Sequence, residues 1–66
     1  MEYIVRFLNT NEDILTCTTV TEIINYFKEN KKYKFPNFLR EELKQGHNVR
    51  FSIGTEQYYI RLNGEI

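Results

Sequence analysis

Thr19-Val20-Thr21-Glu22-Ile23-Ile24-Asn25-Tyr26-Phe27 is the stretch around which the rest of the chain must pack. Val20, Ile23, Ile24 and Phe27 fall at i, i+3, i+4 and i+7, which places four apolar side chains on one stripe of a helix. Thr19 precedes the run and Glu22 follows three residues later, the spacing of a capping box. The Thr19 hydroxyl can take the Glu22 amide, and the Glu22 carboxylate can reach back to the Thr19 amide. Buried, each stripe residue contributes about 1.5–3 kcal/mol, enough for this face to organise a small core. The helix is expected over residues 20–30, with Lys28, Lys31 and Lys32 suiting the negative pole at its end.

On the N-terminal side, Tyr3 to Leu8 is apolar except for Arg6 and reads as a strand. Asn9-Thr10-Asn11-Glu12 is a polar cluster that suits a hairpin turn. Ile14 to Thr18 reads as the second strand. On the C-terminal side, Phe35 precedes Pro36 and must be extended. Pro36 fits the first turn of a second helix, which runs to about Gln45 and stops at Gly46. Its stripe is Phe35, Leu39 and Leu43, flanked by Phe38, with Glu41 and Glu42 facing water. Val49, Phe51 and Ile53 alternate with Arg50 and Ser52. After Gly54-Thr55-Glu56, Tyr58, Ile60 and Leu62 alternate with Tyr59 and Arg61. This is the strongest hairpin signal in the chain. Asn63-Gly64 ends it, and the residues beyond are expected to fray.

The order is ββααββ. The expected fold is α+β: a small antiparallel sheet of two hairpins, with two helices packed on one face. The 66 residues make one small domain, 1–66. A chain this short buries only about 60% of its unfolded surface and needs help to be stable. Cys17 is the one cysteine, so no internal disulfide forms. Cys17 and His47 are too few for a structural zinc site. No cofactor or metal is expected. What remains is a core rich in its five Phe and five Tyr, or self-association as a homodimer. Ile4 and Leu8 motivate the homodimer, since they lie on the face of the first strand opposite Val5 and Phe7.

The start of the chain lacks a basic signal-peptide region, and no apolar segment approaches a membrane span. With a single unpaired cysteine, a reducing cytoplasm is expected. The net charge is zero and the pI about 6.6, which argues against a strongly basic nucleic-acid binder. There is no alanine and no tryptophan, and Asn, Lys, Ile, Tyr and Phe abound. These residues have A/T-rich codons, so an A/T-rich genome such as that of a low-GC bacterium, its phage or a mobile element is expected.

Catalysis by a nucleophile needs a base and an orienting group within reach. His47, Asp13 and Ser52 are each the single residue of their kind, and nothing in the sequence gathers them. Cys17 in an apolar strand reads as a small core residue. Gly46, Gly54 and Gly64 are isolated, so no phosphate loop exists. Glu41 and Glu42 diverge by about 100° on a helix and form a solvated face.

Two constellations stand out. If the apolar alternates of the strands face the helices, Arg6, Arg50, Arg61 and Tyr59 share the open face. Arg and Tyr are favoured interface anchors, and they also bind single-stranded nucleic acid. An exposed sheet face with cross-strand pairs accounts for the same residues without function. The second constellation is Lys31, Lys32 and Lys34 around Tyr33, a basic patch able to meet phosphate or a solvated helix end. The final hairpin lacks the glycine and aromatic pattern of an RNA-recognition motif. The function expected is therefore a non-enzymatic protein-binding module. It would be an inhibitor or accessory protein of a phage or mobile element acting on a host protein, with an anti-defence role fitting that class. The alternative is a small nucleic-acid-binding regulator using the same Arg/Tyr face. A minimal enzyme is the third class, and it lacks a catalytic constellation.

Overall fold

The computed structural model describes residues 2–63. Six elements follow in the expected order: Glu2–Phe7 (β1), Glu12–Cys17 (β2), Val20–Lys31 (α1), Asn37–Lys44 (α2), Val49–Ile53 (β3) and Glu56–Asn63 (β4). The four strands form one sheet in the order β2-β1-β4-β3, antiparallel throughout, so the two hairpins join along β1 and β4. Both helices lie on one face, against the cluster of Tyr3, Val5, Cys17, Val49, Tyr58 and Ile60. The fold is the expected small α+β one. The fraying expected after Gly64 lies outside the described residues.

The capping box of α1 forms as the sequence predicts. The Glu22 amide donates to Thr19 Oγ1 at 3.3 Å, and the Thr19 amide donates to Glu22 Oε2 at 3.1 Å. Of the stripe, Ile23 and Phe27 are fully buried, whereas Val20 and Ile24 are only partly so. Helix α1 ends on Lys32 in the left-handed region, φ +54°, with the Lys32 and Tyr33 amides both donating to the Phe27 carbonyl. A lysine there accepts a backbone conformation that glycine would adopt without penalty. Helix α2 ends as expected at Gly46, φ +87°. The Gly46 amide donates to the Leu43 carbonyl and the His47 amide to the Glu42 carbonyl, the paired bonds of a Schellman motif. Gly54, φ +61°, opens the two-residue turn of the second hairpin, as a type II′ loop requires.

Two expectations need correction, and a bulge joins them. β2 begins at Glu12, two residues before the expected start, so Glu12 lies in the strand and not in the turn, and Asp13 follows it there. Between Val5 and Arg6 the register shifts, because Val5 pairs with Leu15 but Arg6 pairs with Asp13. Ile14 is the extra residue of a β-bulge, and both Ile14 and Leu15 pack against the core. Adjacent apolar residues cannot both face inward on a regular strand; the bulge lets them. Phe38, expected to flank the α2 stripe, points away from it and is 68% exposed.

One buried polar group needs a partner. Tyr58 is 1% exposed, and its hydroxyl donates to Glu56 Oε1 at 2.7 Å. Lys31 Nζ lies 3.3 Å from the same oxygen. The Tyr58 hydrogen bond, then Lys31, holds the Glu56 carboxyl below the ordinary Glu value of 4.5. At the other end of α1, the Thr19 hydroxyl and the Thr18 amide do the same for Glu22.

Two predictions follow from this packing. Ile23→Ala should cost about 2–5 kcal/mol and Phe27→Ala about 3–5 kcal/mol, whereas Ile24→Ala should cost clearly less than either. Urea melts that rank Ile24 with Ile23 would refute the assignment of the buried stripe. The second concerns acid. A carboxyl whose folded pKa is depressed binds fewer protons folded than unfolded, so its stabilisation is present above the unfolded pKa and is lost as pH falls through the folded one. Stability should therefore be flat from pH 7 to about 5 and drop below the ordinary Glu range. The drop should be shallower in Glu22→Gln/Glu56→Gln, and equal acid slopes in melts of the two proteins would disprove it.

Candidate functional site

The open face of the sheet carries the four residues singled out by alternation. Register makes the arrangement specific. Tyr59 pairs with Arg6 on one side and Arg50 on the other, and Arg6 pairs in turn with Asp13. One row across the sheet thus reads Asp13–Arg6–Tyr59–Arg50. Arg61 lies in a neighbouring row, opposite Ile4. The structure therefore brings Arg6, Arg50, Arg61 and Tyr59 onto one surface.

The bulge at Ile14 sets the charge of this row. Without it, Ile14 would stand opposite Arg6 and Asp13 would turn to the other face. With it, Arg6 Nε donates to Asp13 Oδ1 at 2.9 Å, an exposed ion pair worth only about 0.2–1 kcal/mol. Arg50 Nη2 donates to Gln57 Oε1 at 2.8 Å. Two guanidinium groups are thereby oriented, and the charge of one is compensated. Ile4 is on this face yet only 7% exposed. Arg6, Tyr59 and Arg61 around it are half-buried, as expected where their stems cover an apolar neighbour. Ile4 is thus already covered within the chain, and Leu8 is half-buried beside the first turn. A shallow depression of about 430 Å³ opens beside the row, lined by Leu8, Asn9, Arg50 and Gln57. Asn9 fixes its wall: its amide donates to the Thr55 carbonyl and its Oδ1 accepts the Gln57 amide, tying the ends of the two hairpins together.

The basic patch divides. Lys31 turns toward the sheet and pairs with Glu56. Lys32 and Lys34 instead border an open groove of about 680 Å³ at the end of α1 and the start of α2. Ile24, Tyr33 and Phe35 form its apolar part, and Lys28, Arg40 and Asn37 complete its lining. Lys28 and Arg40 were missed in the sequence. The usable signal was the i, i+4, i+8 row Ile24–Lys28–Lys32 on one side of α1. Arg40 joins only because the connector at residues 32–36 folds α2 back beside α1.

The remaining candidates do not assemble. Asp13 and Ser52 lie on opposite edge strands, at least three strand spacings or about 14 Å apart. His47 Nδ1 sits 2.9 Å from Glu42 Oε1 on the exposed end of α2. Cys17 is 6% exposed, and its thiol approaches the Thr19 carbonyl at 3.5 Å. Burial, and then the Glu22 carboxylate, push its pKa up, which disfavours the reactive thiolate. Among the described residues, no three of His, Cys, Asp and Glu come together in a way that could hold a metal ion. None of the helices among them is long and apolar enough to cross a membrane. Comparison with protein-family models, with curated proteins and with solved structures returns no match.

Proposed function

We propose that the chain is a non-enzymatic protein-binding module that anchors its partner on the open sheet face through Arg6, Arg50, Tyr59 and Arg61. The row Asp13–Arg6–Tyr59–Arg50 carries this reading. Its side chains stand on a hydrogen-bonded sheet, and two of its arginines are already oriented by Asp13 and Gln57. Less rotamer freedom is then lost on docking, which is how preorganised anchors gain affinity. Tyr and Arg are the residues that most often dominate such interfaces, and the depression beside Arg50 can receive a partner side chain.

Compensation of Arg6 by Asp13 favours a protein over a nucleic acid at this face. A phosphate backbone binds through uncompensated cations that release counterions, whereas a protein interface tolerates internal pairs. The proposed class remains an inhibitor or accessory protein of a phage or mobile element with an A/T-rich genome. It would act on a host protein in a reducing, cytoplasmic compartment suited to the unpaired Cys17.

The test is a triple variant, Arg50→Ala, Tyr59→Ala and Arg61→Ala, confirmed folded by circular dichroism. Protein captured from cells of the source organism, treated with nuclease, is titrated against parent and variant. Truncated anchors should each weaken binding by about 2 kcal/mol, or roughly 30-fold. Unchanged affinity would make the face a solvated surface. Capture abolished by nuclease would point to the nucleic-acid reading of the same residues. A dimer in sedimentation that the triple variant dissolves would make a second copy of the chain the occupant.

A further inference from the structure

We infer that the groove between α1 and α2 is a second binding site, one that takes the phosphates and a base of single-stranded nucleic acid. It lies on the helical layer, behind the sheet from the Arg/Tyr face, so it stands or falls independently of that surface.

Charge is the first argument. Lys28, Lys32, Lys34 and Arg40 border the groove, and among the described residues no carboxylate lines it. The chain as a whole is neutral, so this is a local concentration of positive charge and not a general excess. None of these four cations forms an ion pair among the described residues, in contrast to Arg6 and Lys31. Arg40 goes further. Its Nη1 reaches Asn37 Oδ1 at 3.4 Å, but its Nε is buried and has no hydrogen-bond partner among the described residues. Buried donors are normally satisfied, so the guanidinium of Arg40 is short of one acceptor.

Shape and chemistry choose the anion. Tyr33 stands between Lys32 and Lys34 and is half-buried in the groove wall. One side of its ring is backed by Phe51, centroids 5.6 Å apart and 11° from parallel, and Phe35 meets it edge-on at 6.2 Å. The ring is therefore held rigidly by the core and flanked by cations. Such an arrangement lets a base stack while the phosphates on either side are neutralised. An acidic peptide would use the charges but not the ring, and a duplex would hide the base faces the ring can meet. The first turn of α2 adds to the field: it has no side-chain cap and no acidic residue. Lys32 holds its place through a left-handed backbone that a glycine would occupy more easily, so the lysine there is not explained by the turn alone.

The experiment is fluorescence anisotropy with a labelled single-stranded oligothymidylate over a salt series. With four cations engaged, log K should fall with log salt at a slope of about −2.8, so binding weakens about 50-fold between about 50 and 200 mM salt. Lys28→Gln/Lys34→Gln changes two exposed side chains and should lower the slope by about 1.4. Tyr33→Leu should weaken binding about tenfold or more with the slope retained, while Tyr33→Phe should bind like the parent. Circular dichroism confirms that each variant is folded, and the exposed lysine pair keeps the test open if Tyr33→Leu does not fold. The sheet-face triple variant should bind the oligonucleotide unchanged. The inference is overturned if the lysine variant binds as the parent does, or if folded Tyr33→Leu loses nothing. It is also overturned if polyglutamate competes as well as unlabelled oligonucleotide, or if the sheet-face variant abolishes binding.

Discussion

The ring of Phe27 is the contact on which the rest of the structure depends. It is fully buried and meets Tyr58 edge-on at 5.0 Å and Phe51 edge-on at 5.2 Å, which joins α1 to the second hairpin. It also stacks with Phe35 at 6.1 Å, which draws the connector and the start of α2 onto the same core. In a chain of 66 residues with no disulfide, few devices other than large aromatic side chains bury enough surface to hold three elements together. The cluster then imposes its own conditions. Burying Tyr58 beside Phe27 takes its hydroxyl out of water, and an unsatisfied hydroxyl there would be costly. Glu56 accepts it, and Lys31 balances Glu56. Thus a packing decision in the core removes one lysine from the basic patch and assigns it to structure.

The same logic explains what could and could not be read from the residues alone. The capping box, the alternation of β3 and β4 and the glycine stop of α2 are local signals, and each appears where its spacing placed it. The ββααββ order and the placement of both helices on one face followed from those elements. What failed was information that no single element holds. A four-residue stripe on α1 does not say which side of it the sheet will cover, so Ile24 read like Ile23 although only Ile23 is fully buried. Phe38 read as a flank of the α2 stripe, but the core was already filled by Phe35, Leu39 and Leu43. The bulge at Ile14 is a compromise between two neighbouring apolar residues and a partner strand. Its trace in the sequence is the adjacent Ile14-Leu15 pair within an otherwise alternating strand.

For the candidate surfaces, alternation alone was enough to gather Arg6, Arg50, Tyr59 and Arg61, because a strand's side chains have a fixed period of two. It could not supply the pairing of Arg6 with Asp13, since that depends on the bulge one strand away. The groove was less legible still. Lys32 and Lys34 were visible as a run, but Arg40 enters only through tertiary folding and Lys31 leaves through a salt bridge. Sequence proximity grouped the wrong third lysine.

The two surfaces differ in a way that net charge conceals. On the sheet, Arg6 is compensated and Arg50 tethered; at the groove, lysines and Arg40 face no carboxylate among the described residues. A neutral chain exerts little attraction beyond the screening length of about 8–10 Å at physiological salt. Neither surface can therefore draw a partner from afar, and recognition at each is decided by short-range fit. The sheet meets that condition with side chains held in place by a hydrogen-bonded ladder. The groove meets it with a ring fixed against Phe51, so both surfaces inherit their rigidity from the aromatic core between them.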